Sequence, residues 1–232
     1  MCGRFTLTAD PETLRQVFEL DTVPALTPRY NVAPTQPVAG VVAASAEVAA
    51  SADAASDNKR TLEIFRWGLI PAWAKDPAIG NRMINARGET VAEKPAFRAA
   101  LKRRRCLILA DGFYEWKAEG RKKTPMYIQL KGGDPFAFAG LWEAWKSPDG
   151  DLIKSCTLIT TTPNSLTEKI HDRMPVILPP SAYEAWLAPG ELPATKLQSL
   201  LKPFAPSKMK ATAVSTLVNN PANELPECIL PA

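Results

Sequence analysis

Short apolar or alternating runs, separated by turn residues, recur along the chain and predict β-strands. They lie at 38–42, 61–67, 106–110, 126–130, 136–140, 154–161 and 210–214. Many connections between them are too short for the crossover that parallel strands need. Strands therefore outnumber helices, and we predict an α+β fold. The expected architecture is a single domain with a largely antiparallel, barrel-like sheet and short peripheral helices.

The helical period is confined to short segments. Asp10 followed by Pro11 is typical of a helix start, because Asp caps the first turn and Pro fits its first position. The apolar face that follows consists of Leu14, Val17 and Phe18. Ser181 and Glu184 have the spacing of a capping box. Further helices are predicted around 97–101, from 162 to a stop at 171, and around 197–201.

Composition is that of one globular domain. The 232 residues are 46% hydrophobic, enough for a core, and we expect a single domain over 1–232. The segment at about 43–58 is almost all Ala, Ser and acidic residues, and we interpret it as a flexible surface insertion. No apolar run could span a membrane, and charged Arg4 and Asp10 argue against a signal peptide. We expect a cytoplasmic protein, nucleoid-associated if it is bacterial.

The chain start carries candidate chemistry. A second residue as small as Cys2 allows Met1 to be removed, which would leave a free α-amine and a thiol on adjacent carbons. This 1,2-aminothiol reacts with an aldehyde twice: the amine forms an imine, and the thiol then closes a thiazolidine ring. An α-amine has an ordinary pKa of about 7.7–8.0, so part of it is nucleophilic near neutrality. A buried structural cysteine is the alternative.

Three further residues are candidates. His171 is the only histidine in the chain, which excludes a multi-histidine metal site and favours proton transfer. Glu115 lies in an aromatic run, where a carboxyl pKa tends to rise toward that of a general acid. Asn85, in a basic loop, is either a turn former or a substrate-orienting amide. A hydrogen-bonded structural histidine and a surface glutamate are the alternatives.

Charge is concentrated in the middle of the chain. Residues 66–131 contain 15 Lys/Arg and 6 Asp/Glu, a net charge of +9, whereas the whole chain has +4. Cations and aromatic residues interleave at Arg4, Tyr30, Trp67, Trp73, Arg82, Arg87, 102–105 and Phe113. This composition is typical of single-stranded nucleic-acid binding, by stacking and phosphate contacts. A solvated basic face and core aromatics are the alternatives.

The four cysteines are scattered without a CxxC pair, so a zinc site or a disulfide framework is not expected.

Several longer motifs follow one another over nearly the whole chain. They are MCGRF at 1–5, RYNVAPT at 29–35, RWGLIP at 66–71, INARGET at 84–90, RCLI at 105–108, GFYEW at 112–116, TPMY at 124–127, AGLW at 139–142, IHDRMP at 170–175 and VS at 214–215.

This set resembles the SOS-response-associated peptidase (SRAP) family of abasic-site processing proteins. The 43–58 insertion and Gly88 depart from the family pattern without touching a reactive position. The resemblance implies binding of single-stranded DNA that contains an abasic site, and a thiazolidine cross-link to its ring-opened sugar. It implies no cofactor and no metal, and we expect a monomer.

The resemblance also implies roles for individual residues. Cys2 is the nucleophile, exposed by self-processing, and Asn85, Glu115 and His171 complete the catalytic set. Trp67 would wedge the strand. The implied DNA-binding set is Arg4, Asn31, Pro34, Trp67, Arg82, Arg87 and Arg173. The implied activities are a lyase-like cross-linking reaction and a self-directed peptidase.

Two other functions remain open on the sequence. An N-terminal-nucleophile amidohydrolase of the glutamine amidotransferase kind also begins Met-Cys-Gly, and would use the Cys2 thiol with its own amine as base. A non-catalytic single-stranded DNA-binding adaptor, with an inert Cys2, is the second. Glutamine hydrolysis tests the first, and full function of Cys2→Ser would favour the second.

Overall fold

The computed structural model describes residues 2–44 and 60–232. The predicted insertion at about 43–58 lies, apart from its first two residues, outside this part of the chain. The described strands are β1 (Arg4–Leu7), β2 (Arg29–Val32), β3 (Pro37–Ala43), β4 (Arg60–Trp67), β5 (Asn85–Arg87), β6 (Arg105–Ala110), β7 (Gly112–Glu119), β8 (Lys122–Leu130), β9 (Phe136–Lys146), β10 (Leu152–Thr161), β11 (Met174–Pro175), β12 (Ile177–Leu178) and β13 (Met209–Ala213). The described α-helices are α1 (Pro11–Phe18), α2 (Arg98–Arg103), α3 (Tyr183–Leu187) and α4 (Ala194–Leu200).

Five strands close into a barrel. The ring of neighbours runs β10–β4–β3–β6–β9 and returns to β10. The β4–β10 pair is parallel, and the other four pairs are antiparallel. Short β5 adds a second parallel contact to β10. The predicted α+β domain with a largely antiparallel, barrel-like sheet is confirmed.

A second antiparallel sheet, ordered β13–β8–β7–β1–β2, brings the chain start to the middle of the molecule. In it β1 lies between β2 and β7, with Arg4 opposite Tyr114 and Phe5 opposite Phe113. Residues just before β1 therefore lie close to the part of β7 that follows Tyr114. This register is what places Cys2 near Glu115.

Side chains on the two faces of the barrel strands belong to two different apolar clusters. On β6, Cys106 and Ile108 belong to a cluster shared with the second sheet, whereas Leu107 and Leu109 belong to one shared with the helices. This alternation follows from the two-residue period of a strand. Cys2 belongs to the cluster shared with the second sheet. The reactive end of the chain is thus built into the core.

Helix α1 begins as predicted, because the Asp10 side chain accepts the Thr13 N–H at 2.9 Å. The predicted capping box is wrong: α3 begins at Tyr183 without a side-chain cap, since residues 180–182 already form a 3₁₀ turn that contains Ser181.

The helix predicted over 162–171 is also wrong. Asn164 Oδ1 accepts the N–H groups of Leu166 and Thr167, a local bond that competes with a regular helix start, and a 3₁₀ turn over Thr167–Lys169 is what forms there. Within the described residues, no helix is long and apolar enough to cross a membrane.

Candidate active site

Cys2 is wholly buried just before β1. Its Sγ–H donates a weak hydrogen bond to the Arg4 carbonyl at 3.7 Å. Burial raises the pKa of the Cys2 thiol far above its ordinary value, and the nearby Glu115 carboxylate adds to the effect. The group is therefore a thiol and not a thiolate at neutral pH. Chemistry that starts at the sulfur would need a base, whereas chemistry that starts at the amine does not need a thiolate.

Asn85 holds the Cys2 main chain. On β5 the alternation of side chains puts Ala86 in the core and Asn85 and Arg87 on the other face. Asn85 Nδ2 donates to the Cys2 carbonyl at 2.7 Å. Its Oδ1 is buried and accepts no hydrogen bond from any described residue. The amide thus fixes the main chain of Cys2 and keeps a buried acceptor beside it.

Glu115 lies on β7 and is 3% exposed. Burial raises the pKa of its carboxyl to about 7. Desolvation disfavours the charged form, which is the cause of such a rise. Near neutral pH both the acid and the carboxylate are therefore present in comparable amounts, as a group that both takes and gives protons requires.

His171 lies in the loop before β11. Its Nδ1 accepts the Arg173 N–H at 3.1 Å and lies 2.8 Å from Asp172 Oδ1. The first contact assigns the proton of the neutral ring to Nε2, and the second suits a ring protonated at Nδ1. Burial lowers the pKa of the imidazole below its ordinary value. Since Nδ1 is engaged by its own loop, Nε2 is the nitrogen that can exchange a proton with a bound molecule.

An open pocket of about 510 Å³ lies against two of these residues, Glu115 and His171. It is lined by Glu115, Trp116, Lys123, His171 and Asn219. Trp116 Nε1 donates to Asn219 Oδ1 at 2.7 Å, which fixes the indole on the pocket wall. The structure therefore brings the four sequence-predicted residues to one place, Cys2 and Asn85 by a direct hydrogen bond and Glu115 and His171 by a shared pocket.

Three residues of this pocket were not predicted. Trp116 adjoins Glu115 in sequence, and a partly exposed tryptophan beside a candidate acid is a signal of binding. Lys123 reaches the pocket because it lies opposite Ala118 in the β7–β8 hairpin. Asn219 has no local signal, since its contact with Trp116 spans 103 residues.

Among the described residues, no group of three His, Cys, Asp or Glu side chains could hold a metal ion.

The model of the family described as SOS response associated peptidase (SRAP) matches residues 1–221. The chain belongs to the SRAP family. It is 47% identical to the abasic site processing protein YoqW of Bacillus subtilis, over 99% of both chains. It is 36% identical to the abasic site processing protein HMCES of Xenopus tropicalis, over 75% of this chain and 58% of that protein.

Solved structures share the fold of this SRAP chain. A crystal structure of a Bacteroides thetaiotaomicron protein matches all of both chains with a TM-score of 0.81 at 30% identity. A Bordetella bronchiseptica protein matches 92% of this chain and all of that chain with a TM-score of 0.74 at 28% identity.

The SRAP resemblance assigned Trp67 to the DNA surface, and the structure corrects this. Trp67 is fully buried, packs against the Phe5 ring with centroids 5.1 Å apart, and donates Nε1–H to the Ile84 carbonyl at 2.9 Å. A ring without an exposed face cannot stack on a base. The exposed tryptophan of this region is Trp73, at 61% exposure, which lines a 320 Å³ pocket together with Arg82.

Asn31 is likewise a structural residue of the SRAP chain. It is fully buried; its Nδ2 donates to three carbonyls of the C-terminal segment 216–224, and its Oδ1 accepts Arg4 Nη1 at 2.7 Å. Arg4 also donates to the Val218 and Asn219 carbonyls, at 2.7 and 3.2 Å. The two residues hold the segment that carries Asn219. Pro34 is half-buried at the end of β2.

The remaining predicted cations of the SRAP chain differ in availability. Arg82 and Arg87 are exposed and beside the site strand β5. Arg173 is 13% exposed, and its guanidinium donates to both carboxylate oxygens of Glu89. Of the three arginines, Arg82 and Arg87 are therefore the two whose side chains are exposed to solvent.

Proposed function

We propose that this SRAP chain processes abasic sites in single-stranded DNA by forming a thiazolidine between Cys2 and the ring-opened sugar. The observation that carries the proposal is that four separate segments bring these residues together: Asn85 binds the Cys2 carbonyl, Glu115 is close enough to Cys2 to raise the pKa of its thiol, and Glu115 shares a pocket with His171. The names of its relatives, which process abasic sites, support the same substrate. In this proposal Met1 is removed by self-processing, which frees the Cys2 amine.

The first step opens the sugar, which is mostly a closed hemiacetal. The C1–O4 bond breaks, O4 takes a proton, and the hydroxyl on C1 loses one as it becomes the aldehyde carbonyl. For this step the His171 ring is protonated at both nitrogens; it gives its Nε2 proton to O4, and Asp172 accepts the Nδ1–H. Proton exchange with solvent then restores the resting Nε2–H form, in which Nδ1 accepts the Arg173 N–H. The Glu115 carboxylate takes the hydroxyl proton. The depressed pKa of His171 makes its protonated ring a stronger acid.

The second step forms the imine. The Cys2 amine adds to the aldehyde carbon, and one of its N–H protons passes to the carbonyl oxygen. The carbinolamine hydroxyl then leaves as water with a proton from Glu115, and the Glu115 carboxylate takes the remaining N–H proton, which leaves the neutral imine. Glu115 holds the donated proton from the first step, and its pKa of about 7 suits both transfers. Asn85 fixes the Cys2 main chain, and its buried Oδ1 can accept an N–H of the amine.

The third step closes the ring. The Cys2 sulfur adds to the imine carbon, and its proton passes to the imine nitrogen, so no external reactant is needed. Because thiol and imine belong to one residue, the step is intramolecular, and its rate does not depend on a second encounter. The buried Cys2 thiol can therefore stay protonated until the imine has formed. This order argues against an amidohydrolase, in which the sulfur would attack first.

Cross-linking is the direct test. The protein is mixed with a single-stranded oligonucleotide that contains one abasic site and separated on a denaturing gel after heating. We expect a heat-stable species of slower mobility, absent for the same oligonucleotide with an intact base. Release of all DNA by denaturation would contradict the proposal.

Phosphate contacts should be visible in the salt dependence of binding. With undamaged single-stranded DNA, Arg82→Ala and Arg87→Ala should each reduce the slope of log affinity against log salt by about 0.7, the value for one phosphate contact on a single strand. Trp73→Ala should cost roughly 1–3 kcal/mol if a base stacks on it. Fluorescence anisotropy at several salt concentrations measures both.

The matched control is Arg103→Ala. Arg103 is an exposed cation of the same basic region, but it is already paired with Glu191 at 2.6 Å. Equal slopes for all three arginine variants and the wild type would remove Arg82 and Arg87 from the DNA contact.

A further inference from the structure

Arg173 connects two loops that carry residues of the site. Its guanidinium donates to both Glu89 oxygens at 2.7 and 2.9 Å, and its Nη2 also donates to the Thr160 carbonyl at 2.8 Å. A bidentate pair of this kind fixes both the position and the plane of the guanidinium. Because the Arg173 side chain is largely buried, the carboxylate is also the main compensation for its charge.

The main chain of the same arginine holds His171. The Arg173 N–H donates to His171 Nδ1 at 3.1 Å, whereas Asp172 Oδ1 lies 2.8 Å from the same nitrogen. An N–H donor requires a lone pair on Nδ1, and a carboxylate requires a proton there. The two neighbours therefore favour opposite tautomers of the neutral ring, and the position of Arg173 decides between them.

Glu89 ties this arrangement to the other side of the site. It follows β5, which begins with Asn85, and the preceding Gly88 N–H donates to the Thr160 carbonyl at 2.8 Å. The Thr160 carbonyl thus accepts hydrogen bonds both from the turn that carries Glu89 and from Arg173, which Glu89 binds. One carboxylate links the Asn85 strand to the His171 loop.

We propose that Glu89 is a positioning residue for His171: through Arg173 it holds the imidazole with Nδ1 toward the loop and Nε2–H toward the pocket. The inference rests on the proposed role of His171 in opening the sugar. Among residues 2–44 and 60–232, Asp172 lies beside the ring on its own loop, and Glu115 and Lys123 line the same pocket. Glu89 itself is 46% exposed, so its replacement leaves no cavity in the core.

Nitrogen NMR of the single histidine reads the tautomer directly. With ¹⁵N-labelled histidine the protein gives one pair of ring resonances, because the chain has one histidine. At pH 8 we expect the wild type to be mainly Nε2–H, and Glu89→Gln and Arg173→Lys to shift toward Nδ1–H. The matched control is Glu191→Gln, which breaks an exposed Glu–Arg pair with Arg103 away from the site. Wild-type ring resonances in both Glu89→Gln and Arg173→Lys would overturn the proposal.

Single-turnover cross-linking provides a second measurement: the ratio of the rates on a natural abasic site and on an acyclic aldehyde analogue. A merely structural role of Glu89 would not change this ratio. Glu89→Gln should slow the reaction about tenfold on a natural abasic site, through misplacement of His171, and leave an acyclic aldehyde analogue at the wild-type rate. Equal slowing on both substrates, or on neither, would contradict the inference while His171→Ala still shows its own defect. If His171→Ala reacts normally, the proposed ring-opening role is wrong, and the resonances alone decide whether Glu89 positions the ring.

Discussion

Replacing Cys2 with alanine is expected to abolish the heat-stable adduct with abasic DNA. The variant cannot process itself through a thiol, but alanine is also small enough for the host cell to remove Met1. A preparation whose free N-terminal amine is verified by mass spectrometry should still form an imine with the sugar. Without sulfur the imine cannot close to a thiazolidine and hydrolyses again. Borohydride should therefore convert the imine of Cys2→Ala into a stable cross-link. Without borohydride, the Cys2→Ala sample should contain no cross-link after heating. Denaturing gels with and without borohydride measure both species.

The matched control for this change is Cys228→Ala. Cys228 is also a free, fully buried cysteine, but it belongs to a different apolar cluster from Cys2. It should form the adduct at the wild-type rate. A stable, unreduced adduct of Cys2→Ala at the wild-type rate would show that the thiol does not take part, and the proposed chemistry would be wrong.

His171→Ala and Glu115→Gln should each slow cross-linking on the order of 10²–10⁴-fold, the usual contribution of a general acid or base. The two defects should differ in their substrate dependence. His171→Ala should be slow on a natural abasic site and recover on an acyclic aldehyde analogue, which needs no ring opening. Glu115→Gln should be slow on both, because imine formation still needs its proton. Single-turnover kinetics on both substrates gives the four rates.

The pH profile provides a check on Glu115. Its acid form is present below a pKa of about 7 and is lost above it, so the wild-type rate on the acyclic analogue should decline as pH rises past about 7. Glu115→Gln should lack that decline. Circular dichroism establishes that both variants are folded. If His171→Ala is equally slow on both substrates, the ring-opening assignment is wrong, although a catalytic role would stand.

Local apolar patterns predicted seven of the thirteen described strands, and they missed β1, β2, β5, β7, β11 and β12, most of which are short. Alternation along β4 also predicts that the Trp67 side chain is buried, in contrast to the DNA contact that the resemblance implied. Phe65 and Trp67 are two residues apart on β4 and share a face, and Phe65 is buried as well. A tryptophan in that register belongs to the core. Trp73 lies beyond the strand, after Pro71, where no alternation directs it inward.

Other features depend on contacts that no local pattern encodes. The pKa of Glu115 is raised in the direction expected from its aromatic neighbours, but the cause is burial between strands that are distant in sequence. The pairing of Arg173 with Glu89 spans 84 residues, so the sequence suggested a free phosphate ligand where the structure has an internal ion pair. Charge type can be read from a sequence, whereas the partner of a charge cannot.

The contact between Arg4 and the Val218 carbonyl joins positions 214 residues apart. Ribosomes add roughly 5–20 residues per second, so on the order of tens of seconds separate the synthesis of its two ends. During that time β1 lacks the segment that Arg4 and Asn31 hold, and the Asn219 wall of the pocket does not exist. A nascent chain therefore contains Cys2 long before the pocket is complete. If the proposed self-processing needs the completed site, the Cys2 amine is freed only after that interval, and the nascent chain has no aminothiol to lose to other cellular aldehydes.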